Sequence, residues 1–204
     1  MKTTRRNGKA AFTLIELMAV ITIVFILAVL VVGGMAFVRE KQAEDKAKVQ
    51  LALLSKALED YKLDMGQYPP TPDSADGSGQ SAVLYTSLFR EGYDTKPTDA
   101  ASAPTSASTP LKATKIYLAQ LDPTGSKQGW VVGSTVAGAE PPITANVVDP
   151  WKHPYRYRSA KAADGTTNPS TQNPDFDLWS MGKDGLTDPT VPADKKNRDD
   201  IKNF

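Results

Sequence analysis

From Phe12 to Val38 the chain reads FTLIELMAVITIVFILAVLVVGGMAFV, apolar at almost every position and broken by one carboxylate, Glu16. As a helix rising about 1.5 Å per residue, such a stretch covers roughly 40 Å, against about 30 Å of bilayer hydrocarbon. The pattern therefore predicts a membrane-spanning helix, and a secretory signal, with an apolar core of only about 7 to 15 residues, fits it badly. Beyond the span the pattern changes but the helix does not stop. Ala47, Leu51, Leu54, Leu58, Tyr61 and Met65 recur at alternating steps of four and three, an apolar stripe along one face. Glu44 with Lys48 and Lys56 with Asp60 stand four apart, as suits a solvated face. The helix is expected to end near Met65, where Gly66 can take a left-handed conformation and Pro69-Pro70 cannot continue it. Gly33-Gly34 is the only pair of helix breakers on the way and is read as a soft point.

Downstream, residues 70–80 are rich in Pro, Asp, Gly and Ser and predict a loop. Ser81 to Arg90 spaces Val83, Leu84, Leu88 and Phe89 as a short helix would, with its apolar side docked on the long one. Lys96 to Pro110 holds too few apolar residues to pack, and is expected to be an exposed, mobile insertion (96–110). Short apolar runs then recur at Ile116–Leu121, Trp130–Val132, Tyr155–Arg158 and Phe176–Ser180, separated by turn residues, which predicts a small antiparallel sheet. Trp151, Tyr155, Tyr157 and Trp179 are assigned to its packing against the helix rather than to a stacking platform for bases or sugars.

Composition adds limits. A chain of 204 residues suits one modest domain plus the span. Formal charge is +1, falling to −3 if the basic stretch holding Lys2, Arg5, Arg6 and Lys9 is removed, so no nucleic-acid partner is expected. There is no Cys, which excludes disulfides and thiolate metal sites. No nucleophile with a base and orienter, no phosphate-binding Gly loop and no His cluster stands out, so the chain is not read as an enzyme. His153, the sole His, is read as a turn residue.

Glu16 is the residue a plain anchor leaves unexplained, because an unpaired intramembrane charge costs a few kcal/mol or more. A cut before Phe12 would create an α-ammonium one helical turn away. The basic leader followed by Phe12-Thr13-Leu14-Ile15-Glu16-Leu17 resembles the prepilin signature of type IV pilins and type II secretion pseudopilins. The resemblance implies cleavage between Ala11 and Phe12 by a prepilin peptidase, N-methylation of Phe12, and neutralisation of a neighbouring subunit's amine by Glu16. Ala11 departs from the family, which has Gly before the cut.

Two further segments resemble major pseudopilins: the helix exit Tyr61-Lys62-Leu63-Asp64-Met65-Gly66-Gln67-Tyr68-Pro69, and the turn and strand Asp149-Pro150-Trp151-Lys152-His153-Pro154-Tyr155-Arg156-Tyr157, where the family commonly has Gly-Asn in place of Lys152-His153. A third resemblance lies in the tail, Phe176 to Gly185 closing with Asp199-Asp200-Ile201. In that family the loop wraps a structural Ca²⁺, which implies Asp184, Asp199 and Asp200 as carboxylate ligands here. The link from Leu186 to Arg198 is longer than the family's loop. No EF-hand run is present.

These readings converge on an α+β, pilin-like fold: a long N-terminal helix, half transmembrane and half soluble, packed on a small antiparallel sheet with a C-terminal Ca²⁺ loop. Residues 1–11 form the leader, 12–38 the transmembrane and assembly helix, and 39–204 an extracytoplasmic head. The resemblance implies a structural subunit of a type II secretion pseudopilus, single-pass in the inner membrane with its head in the periplasm. Its implied partners are further copies in a helical homopolymer, other pseudopilins, the prepilin peptidase and the inner-membrane assembly platform. The alternative is a type IV pilin or minor pilin serving adhesion, motility or DNA uptake.

Overall fold

Helix α1 (Leu14–Met65) runs 52 residues without interruption, passing through Gly33 and Gly34. The structure, a computed structural model, describes residues 12–72, 77–78, 80–94, 115–125, 128–132, 140–162 and 164–204. The leader and the 96–110 insertion expected from the sequence lie outside these residues. The chain divides into two units with the boundary between Gln42 and Ala43, and α1 contributes to both.

The first unit is helical from Leu14, and up to Val31 it is apolar on all sides apart from Glu16 and Thr22. Leu14–Val31 is long and apolar enough to cross a membrane, and none of it is buried within the protein. A helix that is apolar around its whole circumference has no solvated face and needs an apolar surrounding.

The second unit holds the core. Ala47, Leu51, Leu54, Leu58 and Tyr61 are all buried, as the four-and-three stripe predicts, and Met65 packs at its edge. The ion pairs Lys48–Glu44 and Lys56–Asp60 form on the outer face. Gly66 ends the helix at φ +76°, its N–H donating to Lys62 O at 2.8 Å. The chain leaving the helix is stitched down at once. Tyr157 Oη donates to Pro69 O (2.9 Å), Ser159 N to Thr71 Oγ1 (3.0 Å), and buried Asn168 Nδ2 to Thr71 O (3.3 Å).

Helices α2 (Ser81–Tyr85) and α3 (Glu91–Asp94) flank a π-helical turn, Thr86–Arg90, which brings Leu84, Leu88 and Phe89 into the core. Two small antiparallel sheets follow. Strand β1 (Val131–Val132) pairs with β2 (Asn146–Val147), and β3 (Arg156–Ser159) with β4 (Phe176–Ser180), which pairs in turn with β5 (Ile201–Lys202). The expected single sheet is thus two, and β2 and β5 are added to the strands read from the sequence. The Ile116–Leu121 run is not a strand. The N–H groups of Tyr117 and Leu118 both donate to Leu88 O, and Ala119–Leu121 closes as a 3₁₀ turn. Its buried residues Leu118 and Leu121 are three apart, so one face of a turn, not alternate faces of a strand, meets the core.

Strand β4 is buried at every position, because both of its faces are covered. On one of them lies an ion pair: Arg158 and Asp177 are almost wholly buried and meet at 2.6 Å, while Asp177 also accepts from Gln172 N (2.9 Å) and Asn173 N (2.8 Å). Tyr155, Tyr157 and Trp179 are fully buried, as expected of core aromatics, and Trp151 is half-buried in a turn. The architecture is α+β.

Candidate functional site

Two places carry the residues singled out by the sequence, one in each unit. At the N-terminal place, Ala11 lies outside the described residues. Phe12 precedes the helix and is 80% exposed. Thr13 sits at the N-cap, with the N–H of Glu16 facing both its carbonyl (3.1 Å) and its Oγ1 (3.4 Å). Glu16 is therefore the third residue of α1 and exposed, where the unpaired amides of a helix start favour a carboxylate. Thr13-Leu14-Ile15-Glu16 has the Thr-x-x-Glu spacing of a capping box, and its Thr13 half is formed, a cap that the reading of the sequence missed although the spacing displays it.

The second place is the loop between β4 and β5. It opens on a turn in which Gly182 and Gly185 both have positive φ, +62° and +69°. Gly182 has a second reason to lack a side chain: a Cβ there would lie 2.4 Å from Asp199 O and 2.5 Å from its Oδ2. That close approach brings two of the three expected ligands together. Asp199 Oδ2 accepts from Asp184 N at 3.0 Å, and Asp184 Oδ1 from Leu186 N at 2.8 Å. Both line a shallow depression shared with Lys183, Lys195 and Arg198. Asp200 is engaged elsewhere. Its side chain is fully buried, and its Oδ2 accepts from Thr187 Oγ1 (2.9 Å) and pairs with Lys202 Nζ (3.3 Å). Its Oδ1 is buried with no partner. Burial raises the Asp200 pKa above the ordinary carboxylate value, against the lowering effect of Thr187 and Lys202.

Among the described residues, no three His, Cys, Asp or Glu side chains converge as a metal-binding group. The extra link from Leu186 to Arg198 is held by its own polar groups. Asn197 Nδ2 donates to Asp188 O and Val191 O, both at 2.8 Å, and Asp194 accepts from Lys196 N at 2.9 Å to cap the 3₁₀ turn Lys195–Asn197. The oxygen-only donor set and the orphaned Oδ1 of Asp200 suit a hard divalent cation; the three flanking cations of the depression oppose one.

His153 lies in the turn the sequence assigned it to, below the start of this loop. Asp149 organises that turn, accepting from Trp151 N (3.0 Å), His153 N (2.9 Å) and Ser180 Oγ (2.6 Å). Lys152 takes φ +77°, the only positive φ outside Gly among the described residues, and donates to Gly129 O at 3.1 Å.

The exposed helix start, with a carboxylate in its first turn, is long and apolar enough to cross a membrane, and residues 6–32 match the prokaryotic N-terminal methylation motif. That match takes in Phe12, Glu16 and the first part of α1. Residues 36–130 match the family described as type II secretion system protein G. Neither match reaches the β4–β5 loop. Among curated relatives, the type II secretion system core protein G of Aeromonas hydrophila is 42% identical over 72 residues, 35% of this chain and 50% of its own length. That of Klebsiella michiganensis is 42% identical over 67 residues, 33% of this chain and 47% of its own. The chain thus spans about half the length of these relatives. The Pseudomonas aeruginosa core protein G aligns more widely, 29% identical over 89% of this chain and 88% of its own. A crystal structure titled as the major pseudopilin of the type 2 secretion system of enterohaemorrhagic Escherichia coli aligns over 81% of this chain and 89% of its own, at 20% identity and a TM-score of 0.37, too low to support an element-by-element comparison.

Proposed function

We propose that this chain is a structural subunit of a type II secretion pseudopilus, cut between Ala11 and Phe12 by a prepilin peptidase and methylated on the new Phe12 amine. The observation that carries this reading is the α1 start: an apolar helix with no burial of its own, opened by Phe12 and holding Glu16 in its first turn. Before assembly the bilayer covers that surface, with the leader cytoplasmic and the head in the periplasm. In a filament, neighbouring copies cover it, through head-to-tail contacts that generate a helix when they do not close. Glu16 then neutralises a neighbour's terminal ammonium, an interaction strong in an apolar interior. Other pseudopilins and an inner-membrane assembly platform are the remaining partners, and growth of the filament drives export. The protein G match and the lack of any Cys for a disulfide-closed loop support this reading over a type IV pilin. Glu16→Ala is expected to be processed normally yet to form few filaments. Electron microscopy at equal protein levels tests this, and wild-type filament numbers would refute the pairing.

The β4–β5 loop is proposed to bind a structural Ca²⁺, anchored on buried Asp200 with Asp184 and Asp199 as further carboxylates. Ca²⁺ takes six to eight oxygens in flexible geometry, and backbone carbonyls and water complete such a shell. The orphaned Asp200 Oδ1 is what supports this assignment. A ligand that binds only the folded state stabilises by about 1.4 kcal/mol at tenfold saturation and about 2.7 kcal/mol at a hundredfold. The full chain in detergent micelles should melt a few degrees higher in Ca²⁺ than in chelator or Mg²⁺, and Asp200→Asn should remove the difference. Identical melting of the wild type in all three, at matched ionic strength, would reject the ion.

A further inference from the structure

The β4–β5 loop is pinned at its start by a side chain from outside it. His153 Nδ1 lies 2.9 Å from Gly182 O. A carbonyl oxygen only accepts, so Nδ1 carries the hydrogen, and the neutral ring has its lone pair on Nε2. The same ring fills the space over the other end of the turn: a Cβ on Gly185 would lie 2.7 Å from His153 Nε2 and 2.9 Å from Cε1. His153 thus meets both glycines that bracket Lys183 and Asp184. Its own position is fixed from below, since its N–H donates to Asp149 and Asp149 accepts from Ser180 Oγ, which in turn accepts from Gly182 N at 3.1 Å. The turn is therefore held by its amide through Ser180 and by its carbonyl through His153. Lys152, in the left-handed conformation, is the bend that aims His153 at it.

We propose that His153 is a positioning residue for the β4–β5 loop, setting the Gly182–Gly185 turn so that Asp184 and Asp199 are presented together for a cation. The inference rests on the Ca²⁺ reading for its purpose, but not for its geometry. What the loop requires at this position is one N–H aimed at Gly182 O and a flat group that fits over Gly185. An Asn amide offers a comparable donor from a similar distance along the side chain; Ala offers neither.

Two measurements on the full chain in detergent micelles test this. In chelator, trypsin should cut after Lys183 about fivefold faster in His153→Ala than in wild type, the effect of losing about one hydrogen bond's worth of loop closure, and His153→Asn should restore the slow rate. In Ca²⁺, His153→Ala should lose most of the Ca²⁺-specific rise in melting temperature while His153→Asn keeps it, a rescue that mere filling of space would not give. If His153→Ala cuts as slowly as wild type in chelator, the latch is wrong. If it cuts fast yet shows the full Ca²⁺ rise, the latch stands and the positioning role is overturned. If wild type shows no Ca²⁺ rise, the cation reading fails and the positioning role with it, leaving the chelator measurement to decide the latch alone.

Discussion

Leu30 and Leu58 lie on one helix and have one chemistry, yet Leu30 is 66% exposed and Leu58 is fully buried. The difference is in what stands beside them. Around Leu30 every direction of the helix is apolar, so no face is distinguished, and among the described residues nothing buries it. Around Leu58 the apolar positions keep to one stripe, and ion pairs such as Lys56–Asp60 hold the other face in water. A helix can be stabilised by its own domain only where its sequence tells one side from the other. Where it does not, an external apolar phase must supply the burial.

The largest effects should therefore fall in the second unit. Asp177→Ala leaves Arg158 buried without its counter-charge and should cost about 3 to 5 kcal/mol, seen as a large drop in melting temperature or failure to fold. Leu58→Ala should cost about 2 to 5 kcal/mol, whereas Leu30→Ala should leave the melting of the head unchanged. A comparable loss from both Leu changes would break the contrast between the two stretches.

The long helix, its stripe and its end at Gly66 were legible because period, charge spacing and a left-handed Gly are local signals. The two sheets were legible only in part. Val131–Val132 and Phe176–Ser180 are apolar enough to announce themselves, but β2 and β5 are two residues each and exist through their partners. Ile116–Leu121 misled because its amides find Leu88 O, a partner far along the chain that no local pattern reveals. At the candidate sites, Phe12 and Glu16 were visible as a motif, yet the Thr13 cap beside them was passed over. The tail carboxylates could be named, but not sorted. That Asp199 faces Asp184 while Asp200 turns to Thr187 depends on Gly182 admitting the Asp199 backbone.

Smaller effects sharpen the picture of the second unit. Lys152 occupies a backbone conformation that favours glycine, so Lys152→Gly should be neutral to stabilising, by up to about 1 kcal/mol, despite losing the bond to Gly129. A clear loss of stability in urea melts would show that the Lys152–Gly129 bond outweighs the strain. Burial raises the pKa of both Asp149 and Asp200, so the folded chain holds these protons more tightly than the unfolded one. Between neutral pH and the ordinary carboxylate range, stability in chelator should thus rise as pH falls, and be lost as pH rises through the two raised values. The carboxylates with lowered pKa, Asp64, Asp164 and Asp188, act with the opposite sign only below that range. A flat profile between pH 7 and about pH 5 would mean that the two buried acids are solvated after all.

The central claim is that the apolar stretch is an assembly helix made by processing, and the mass of the chain extracted from membranes of cells with an active prepilin peptidase tests it directly. The account predicts a polypeptide that begins at Phe12 and carries one methyl group on its terminal amine. A chain that still holds Lys2 to Ala11, with Phe12 internal and unmodified, would contradict it.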